Sequence, residues 1–247
     1  MPAYLRLEIL RTLRDRRFLF FTLAFPVCLF LLFSTVFAAP GETEPGTGLT
    51  VAQYMMVAFG SYGAIGASLN ATGPRLAAEL DGGWLRQLRV TPLAAWKVVT
   101  VRIATALVLA LPSLALVALT AALTQDVRLP VGRWIALLVL LSVATLPFAA
   151  LGTLVGATVK ADTAQPATLM VYLPMAVVGG LWLPVSQLPD FLRTLAPWTP
   201  ANRMAEIGWD LVGGHAPSAA AVAVLAAWTA AFGALALLGY RRVTVAS

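Results

Sequence analysis

Side chains capable of covalent or metal chemistry are scarce in this sequence and poorly spaced for it. The 247 residues hold one histidine, His215, and one cysteine, Cys28, too few for a conventional zinc site. Asp210 and His215 share an apparent outer loop, with Glu206 one helical turn earlier. The tip Gly213-Gly214-His215 reads as a turn, so a solvated loop is expected there rather than an acid–base site. The two lysines, Lys97 and Lys160, follow no glycine, and no GxxxxGK[ST] loop occurs. The chain is therefore not expected to hydrolyse ATP in the P-loop manner. Cys28 lies in an apolar run, where a small packing residue with no internal disulfide is expected. No catalytic residue, metal ligand or cofactor is assigned.

Hydrophobicity, by contrast, dominates the chain: 60% of residues are hydrophobic and 11% charged, against about 25% charged in a soluble domain. Six apolar segments, Phe18–Ala39, Val51–Thr72, Val99–Leu123, Trp134–Ala157, Ala167–Leu183 and Ala219–Tyr240, are each near the roughly 20 residues needed to cross a bilayer. Only Arg102 falls inside one, near its end, where arginine can snorkel. The expected fold is all-α: one polytopic membrane domain over residues 1–247 with six transmembrane helices. The Pro-Gly-Glu-rich stretch after the first segment lacks a small-residue cleavage site, so that segment reads as a retained span.

The net charge of +6 is explained by topology. With the N-terminus cytoplasmic, Arg6, Arg11, Arg14, Arg16, Arg17, Arg75, Arg86, Arg89, Lys97, Arg102, Lys160, Arg241 and Arg242 all fall inside. These are thirteen of the seventeen basic residues. Arg128, Arg133, Arg193 and Arg203 fall outside with six of the eleven acids. The positive-inside rule then makes both termini cytoplasmic, and the basic excess points to anionic lipid rather than nucleic acid.

The loops divide by side. Residues 3–17 read as an interfacial helix, with Leu5, Ile9 and Leu13 four apart and Arg6, Arg14 and Arg17 on other faces, or as a cytoplasmic extension of the first span. The inner loop 73–98 reads as a helix over Pro74–Leu80, a Gly82-Gly83 break and a second helix over Trp84–Val90. Trp84, Leu85 and Leu88 make its apolar stripe, and Arg86 and Arg89 lie on other faces, a pattern that wants headgroups or a protein partner. Outside, residues 184–217 are cut by Pro184, Pro189, Pro197 and Pro200 into helix-length pieces, Pro189–Leu195 and Asn202–Val212. Their aromatic and aliphatic residues suit the outer leaflet.

Small residues recur within the spans. Gly60, Gly63 and Gly66 lie in the second, and Gly152 and Gly156 make a GxxxG spacing in the fourth; both suit close helix contact within the subunit, or between subunits. Pro112, Pro147 and Pro174 are expected to kink spans three, four and five. A transport path would draw on Ser61, Tyr62, Ser68, Asn70, Thr105, Thr145, Met170 and Tyr172; no substrate-binding residue is assigned.

Two stretches carry a resemblance. The run from Glu79 through Gly83, Trp84, Leu85, Arg86, Leu88, Arg89, Thr91 and Pro92 resembles the inner loop of type-2 ABC exporter permeases. It departs from that pattern at Ala77, Ala78 and Leu80, where many members are more charged. The segment Gly180–Pro184, followed by Leu188, Pro189, Leu195, Pro197 and Pro200, is similar to the family's short outer helices that re-enter the membrane after span five. The resemblance implies a permease paired with a second permease, often its own copy, and with two cytoplasmic P-loop ATPases that bind ATP and magnesium. It makes the Glu79–Pro92 loop and the N-terminal helix the docking surface.

The residues themselves leave other classes open. A proton-coupled carrier usually places ionisable groups at mid-membrane, and the spans carry none, although carbonyl coordination of sodium would escape that objection. A non-transporting scaffold or sensor of the same architecture is not separable by sequence. For an exporter, the aliphatic spans suit an amphiphilic or lipophilic cargo (drug, antibiotic or lipid-like), and the Ala-, Leu-, Val- and Arg-rich composition suits a bacterial plasma membrane.

Overall fold

A computed structural model describes residues 20–37, 42–82 and 95–246, giving the backbone alone for residues 21, 95–103 and 240–246. Helix α1 (Phe25–Phe37) follows a π-helical turn, Phe20–Ala24. Then come α2 (Val51–Asp81), α3 (Ala95–Thr124), α4 (Val131–Val143), α5 (Leu146–Thr158) and α6 (Ala161–Val178). The outer segment supplies α7 (Asp190–Leu195) and α8 (Pro200–Gly213), and α9 runs Ala219–Ala246. Among the described residues there is no β-strand, only an isolated bridge between Thr43 and Thr50.

Helix α2 is the hub. It packs against α1, α3, α5, α6 and α8, and nearly every residue from Val51 to Ala77 is buried. Small residues make this possible. Gly63 faces Pro26 of α1 and the Ser113 hydroxyl of α3, and a Cβ on Gly66 would lie 2.9 Å from the Tyr172 hydroxyl of α6. On the facing helix α5, a Cβ on Gly152 would lie 2.9 Å from the Leu69 carbonyl oxygen, and one on Gly156 would collide with the Gly73 carbonyl. The GxxxG pair thus serves contact within the subunit, where backbones approach closely because side chains are absent.

Among the described residues, three helical stretches are long and apolar enough to cross a membrane: Ala104–Thr124, Val131–Thr158 and Ala219–Gly239. Thr22–Phe37 is a shorter apolar helix. Helices α2 and α6 are less apolar because serine, threonine, tyrosine and glycine face protein there instead of lipid. Some of the hydroxyls bond within their own helix: Thr72 donates to the Ser68 carbonyl, and Thr168 to that of Ala164.

Several expectations change. The 51–72 segment does not end at a loop, because α2 continues through Pro74 to Asp81 and stops at Gly82. Thirty-one residues make about 46 Å of helix at 1.5 Å each, well beyond the roughly 30 Å hydrocarbon core. Pro147 interrupts its span as expected, within the single apolar stretch Val131–Thr158. The chain turns at Ala144-Thr145, Thr145 N–H donates to the Ser142 carbonyl at 3.1 Å, and Pro147 occupies the first turn of α5, where its missing N–H costs nothing. Pro112 and Pro174 do lie inside helices. Cys28, expected to pack, is exposed, because α1 buries Pro26, Phe30 and Ser34 at four-residue spacing and turns Cys28 away.

Replacing Gly156 by leucine should destabilise the protein by about 1–3 kcal/mol through forced separation of α2 and α5. A lowered thermal midpoint in detergent checks this, with Gly132→Leu as control, since nothing lies within 4 Å of a Cβ at Gly132.

Candidate functional site

Two ends of α2 meet the loops that the sequence singles out. At its N-terminal end, Thr50 and Gln53 form a capping box: the Gln53 N–H donates to Thr50 Oγ1 at 3.2 Å, and the Thr50 N–H to Gln53 Oε1 at 3.0 Å. This satisfies two helix-end donors reciprocally. The turn before it buries Glu44, whose Oε1 accepts from the Ser186 hydroxyl at 2.6 Å. The loop ahead of α2 is thereby tied to the segment that follows α6.

That outer segment is built as its prolines suggest. Pro184 is buried and caps a 3-10 turn, Pro189 caps α7, Pro197 lies in a second 3-10 turn, and Pro200 is the buried first residue of α8. Leu188 is buried, whereas Leu195, Phe191 and Trp198 are exposed, giving the segment an apolar outer rim of the kind found at membrane interfaces. Helix α8 buries Met204, Ala205, Ile207, Gly208 and Val212. A Cβ on Gly208 would lie 2.5 Å from Val57 and 3.3 Å from Leu141, so α8 sits against α2 and α4. Val57 is six residues into α2, roughly 9 Å along its axis.

Hydrogen bonds and stacking fix this docking. Asn202, 7% exposed, donates from Nδ2 to the Gly179 carbonyl at 3.1 Å. The Tyr54 hydroxyl donates to the Gly180 carbonyl at 3.1 Å, and Trp209 Nε1–H to the Tyr54 carbonyl at 3.2 Å. The Tyr54 and Trp209 rings stack with centroids 4.4 Å apart. Composition gave no signal for these pairs, which join residues more than twenty positions apart.

The outer acid and histidine cluster has structural roles. Arg203 bonds Glu206 and the Pro197 carbonyl, and Asp210 Oδ2 accepts from the Ser218 N–H at 2.9 Å. Gly214 adopts φ 87° and the His215 N–H donates to the Asp210 carbonyl at 2.8 Å, closing α8 in a Schellman turn. No group of His, Cys, Asp or Glu among the described residues could hold a metal.

At the C-terminal end, Glu79 is half-buried in the last turns of α2. Asp81 Oδ2 accepts a hydrogen bond from the Ala161 N–H at 2.8 Å, eighty residues on and at the start of α6, whose own N-cap residue Lys160 makes no side-chain cap. Gly83, Trp84, Leu85, Arg86, Leu88, Arg89, Thr91 and Pro92 lie outside the described residues, as do Leu5, Arg6, Ile9, Leu13, Arg14 and Arg17.

The expected path residues are mostly buried. Ser61, Ser68, Thr105 and Thr145 are 2% exposed or less. Tyr62 and Tyr172 stack with centroids 4.7 Å apart and are buried, Asn70 is half-buried, and Met170 alone stands well exposed. The Ser68 and Thr145 hydroxyls bond to backbone carbonyls, whereas the Ser61 hydroxyl is buried without a protein partner among the described residues, a burial that their scattered sequence positions do not reveal. Beside the helix break lies instead an apolar groove of about 490 Å³, lined by Leu140, Val143, Pro147, Leu225, Ala226 and Thr229 among others.

Comparison with known proteins bears on what this arrangement serves. The family profile described as ABC-2 type transporter matches residues 3–207. The chain is also similar to a Bacillus subtilis (strain 168) protein named "Putative transport permease YvfS". The two are 27% identical over 225 residues, covering 91% of this chain and 90% of the relative.

Truncating Asn202 to alanine should cost about 1–3 kcal/mol by leaving the Gly179 carbonyl buried without its partner. A lower thermal midpoint and faster tryptic cleavage after exposed Arg193 are the expected readouts.

Proposed function

The chain belongs to the ABC-2 type transporter family, and from that premise we propose that it is the permease subunit of an ABC exporter for a small amphiphilic or lipophilic cargo. The family implies an ABC ATPase partner. In this reading the partner is present in two copies and binds ATP and magnesium, and the permease pairs with a second copy of itself. The chain itself carries out no hydrolysis. Its setting is a bacterial plasma membrane, with six spans, both termini cytoplasmic and residues 3–17 as an interfacial helix. The outer segment, with α8 reaching below the end of α2, re-enters the outer leaflet.

The observation that carries this reading is the composition of the buried interior. Among the described residues, the polar side chains buried in the helices are serine, threonine and asparagine, and the one buried carboxylate, Glu44, lies in the outer turn. Such an interior has no proton relay of the kind that powers coupled carriers. Energy then enters from the cytoplasmic side, and α2 is suited to receive it, because one continuous helix joins the outer segment to the Glu79–Pro92 loop. Trp84, Leu85 and Leu88 are the apolar knobs of the docking loop, Arg86 and Arg89 its charged rim, and Glu79 a partner for a basic group on the ATPase. Closure of the ATPases on nucleotide rocks the docked loops and shifts the dimer between inward- and outward-open states, which requires differential contact with the two states and no chemistry in the spans. The groove beside the helix break supports a lipophilic cargo arriving from the bilayer.

Inside-out vesicles containing the chain and its ATPase should accumulate an amphiphilic dye when given ATP, even with proton and sodium ionophores present. Leu88→Asp should abolish accumulation and stoichiometric co-purification with the ATPase. Accumulation that needs a sodium gradient, with ATP present, contradicts the proposal and favours the carrier.

A further inference from the structure

Helix α6 lies at the edge of the fold and is held mainly along one stripe. Ala164, Thr168, Tyr172 and Ala176, spaced four apart, are its buried residues, and α2 is its principal neighbour. The two helices run antiparallel, joined at mid-length where the Tyr172 hydroxyl donates to the Tyr62 carbonyl and the two rings stack. At the outer end, Asn202 and Tyr54 take the Gly179 and Gly180 carbonyls just past α6. At the inner end the tie is Asp81. Its carboxylate accepts from the Ala161 N–H, the first of α6, at 2.8 Å, an anion placed at the positive end of a helix. Asp81 is also the last residue of α2 and precedes Gly82 and the inner loop.

The geometry points to Asp81 as a positioning residue: it clasps the start of α6 to the root of the inner loop, so that displacement of the loop is passed to α6 as well as to α2. This rests on the reading of the Glu79–Pro92 loop as the place where the ATPase acts. Gly82 ends α2 directly after Asp81, so the side-chain bond to α6 at Asp81 ties the last helical residue of α2 to the start of another helix. Lys160 leaves the α6 N-terminus without a local side-chain cap, and Asp81 supplies from a distance what a local N-cap residue ordinarily would.

The test uses the complex with its ATPase. In a Cys28→Ser background the chain has no cysteine, and Gln165→Cys on the exposed side of the first turns of α6 takes a bimane label. In the parent, trapping with ATP and vanadate should shift the bimane emission. Asp81→Ala should reduce that shift at least twofold while co-purification and ATP hydrolysis persist, and Asp81→Asn, which keeps an acceptor oxygen, should restore it. Ala161→Pro removes the donor from the other side, at a first helical position that accepts proline, and should reduce the shift equally without touching the loop. A full shift in Asp81→Ala or in Ala161→Pro overturns the clasp while leaving ATPase docking intact. No shift in the parent, with ATPase bound and active, overturns the coupling of the inner loop to nucleotide and the clasp together.

Discussion

A helix surrounded by protein on every side governs this fold. Because α2 touches α1, α3, α5, α6 and α8, it has no lipid face to fill with leucine, and each neighbour must come close enough to exclude voids. Close approach requires glycine on α2 or on the facing helix, which is what Gly63, Gly66, Gly73, Gly152 and Gly156 provide. In lipid, where apolar side chains gain little by leaving one apolar surroundings for another, such close packing and interhelical hydrogen bonds are what hold helices together. The neighbours inherit their positions from this one helix, and α9, held mainly by α5 and α8, is left largely to the bilayer.

The same constraint explains where polar groups lie. Several interior hydroxyls bond to carbonyls of their own turn, as with Thr72 to Ser68 and Thr168 to Ala164. Ser68 instead reaches the Thr145 carbonyl, and the Ser61 and Ser113 hydroxyls find no protein partner among the described residues. Bonds between distant elements tie both ends of the α2–α6 pair and the Tyr62–Tyr172 crossing, and others join Ser68 to the Thr145 carbonyl and Trp209 to the Tyr54 carbonyl. These bonds and the close contacts of α2 join it to its neighbours, the kind of packing in which helices shift as rigid bodies.

Much of this was legible beforehand. Hydrophobicity located the apolar helices, the prolines located the outer pieces α7 and α8, and glycine spacing located the α2–α5 crossing. The end of α2 was misplaced because polarity marks where a chain leaves lipid, whereas helix continuation depends on backbone bonding, which Pro74 did not interrupt. At Pro147 the residue type did mark an interruption, and the break falls at Ala144-Thr145 just before it. Residues such as Ser61 and Thr145 read as path-lining because sequence shows polarity but not direction. Asp81 and Asn202 act on carbonyl or amide groups far along the chain, and only the folded backbone brings those partners together.

The central claim is that force enters at the cytoplasmic loop and reaches the outer face through α2. The direct measurement places an environment-sensitive label at Thr194, exposed in α7, in a cysteine-free background, with the chain and its ATPase in nanodiscs. Nucleotide trapping on the cytoplasmic side should change the label's signal on the outer side. An unchanged outer label, while the bound ATPase turns over, would contradict the account.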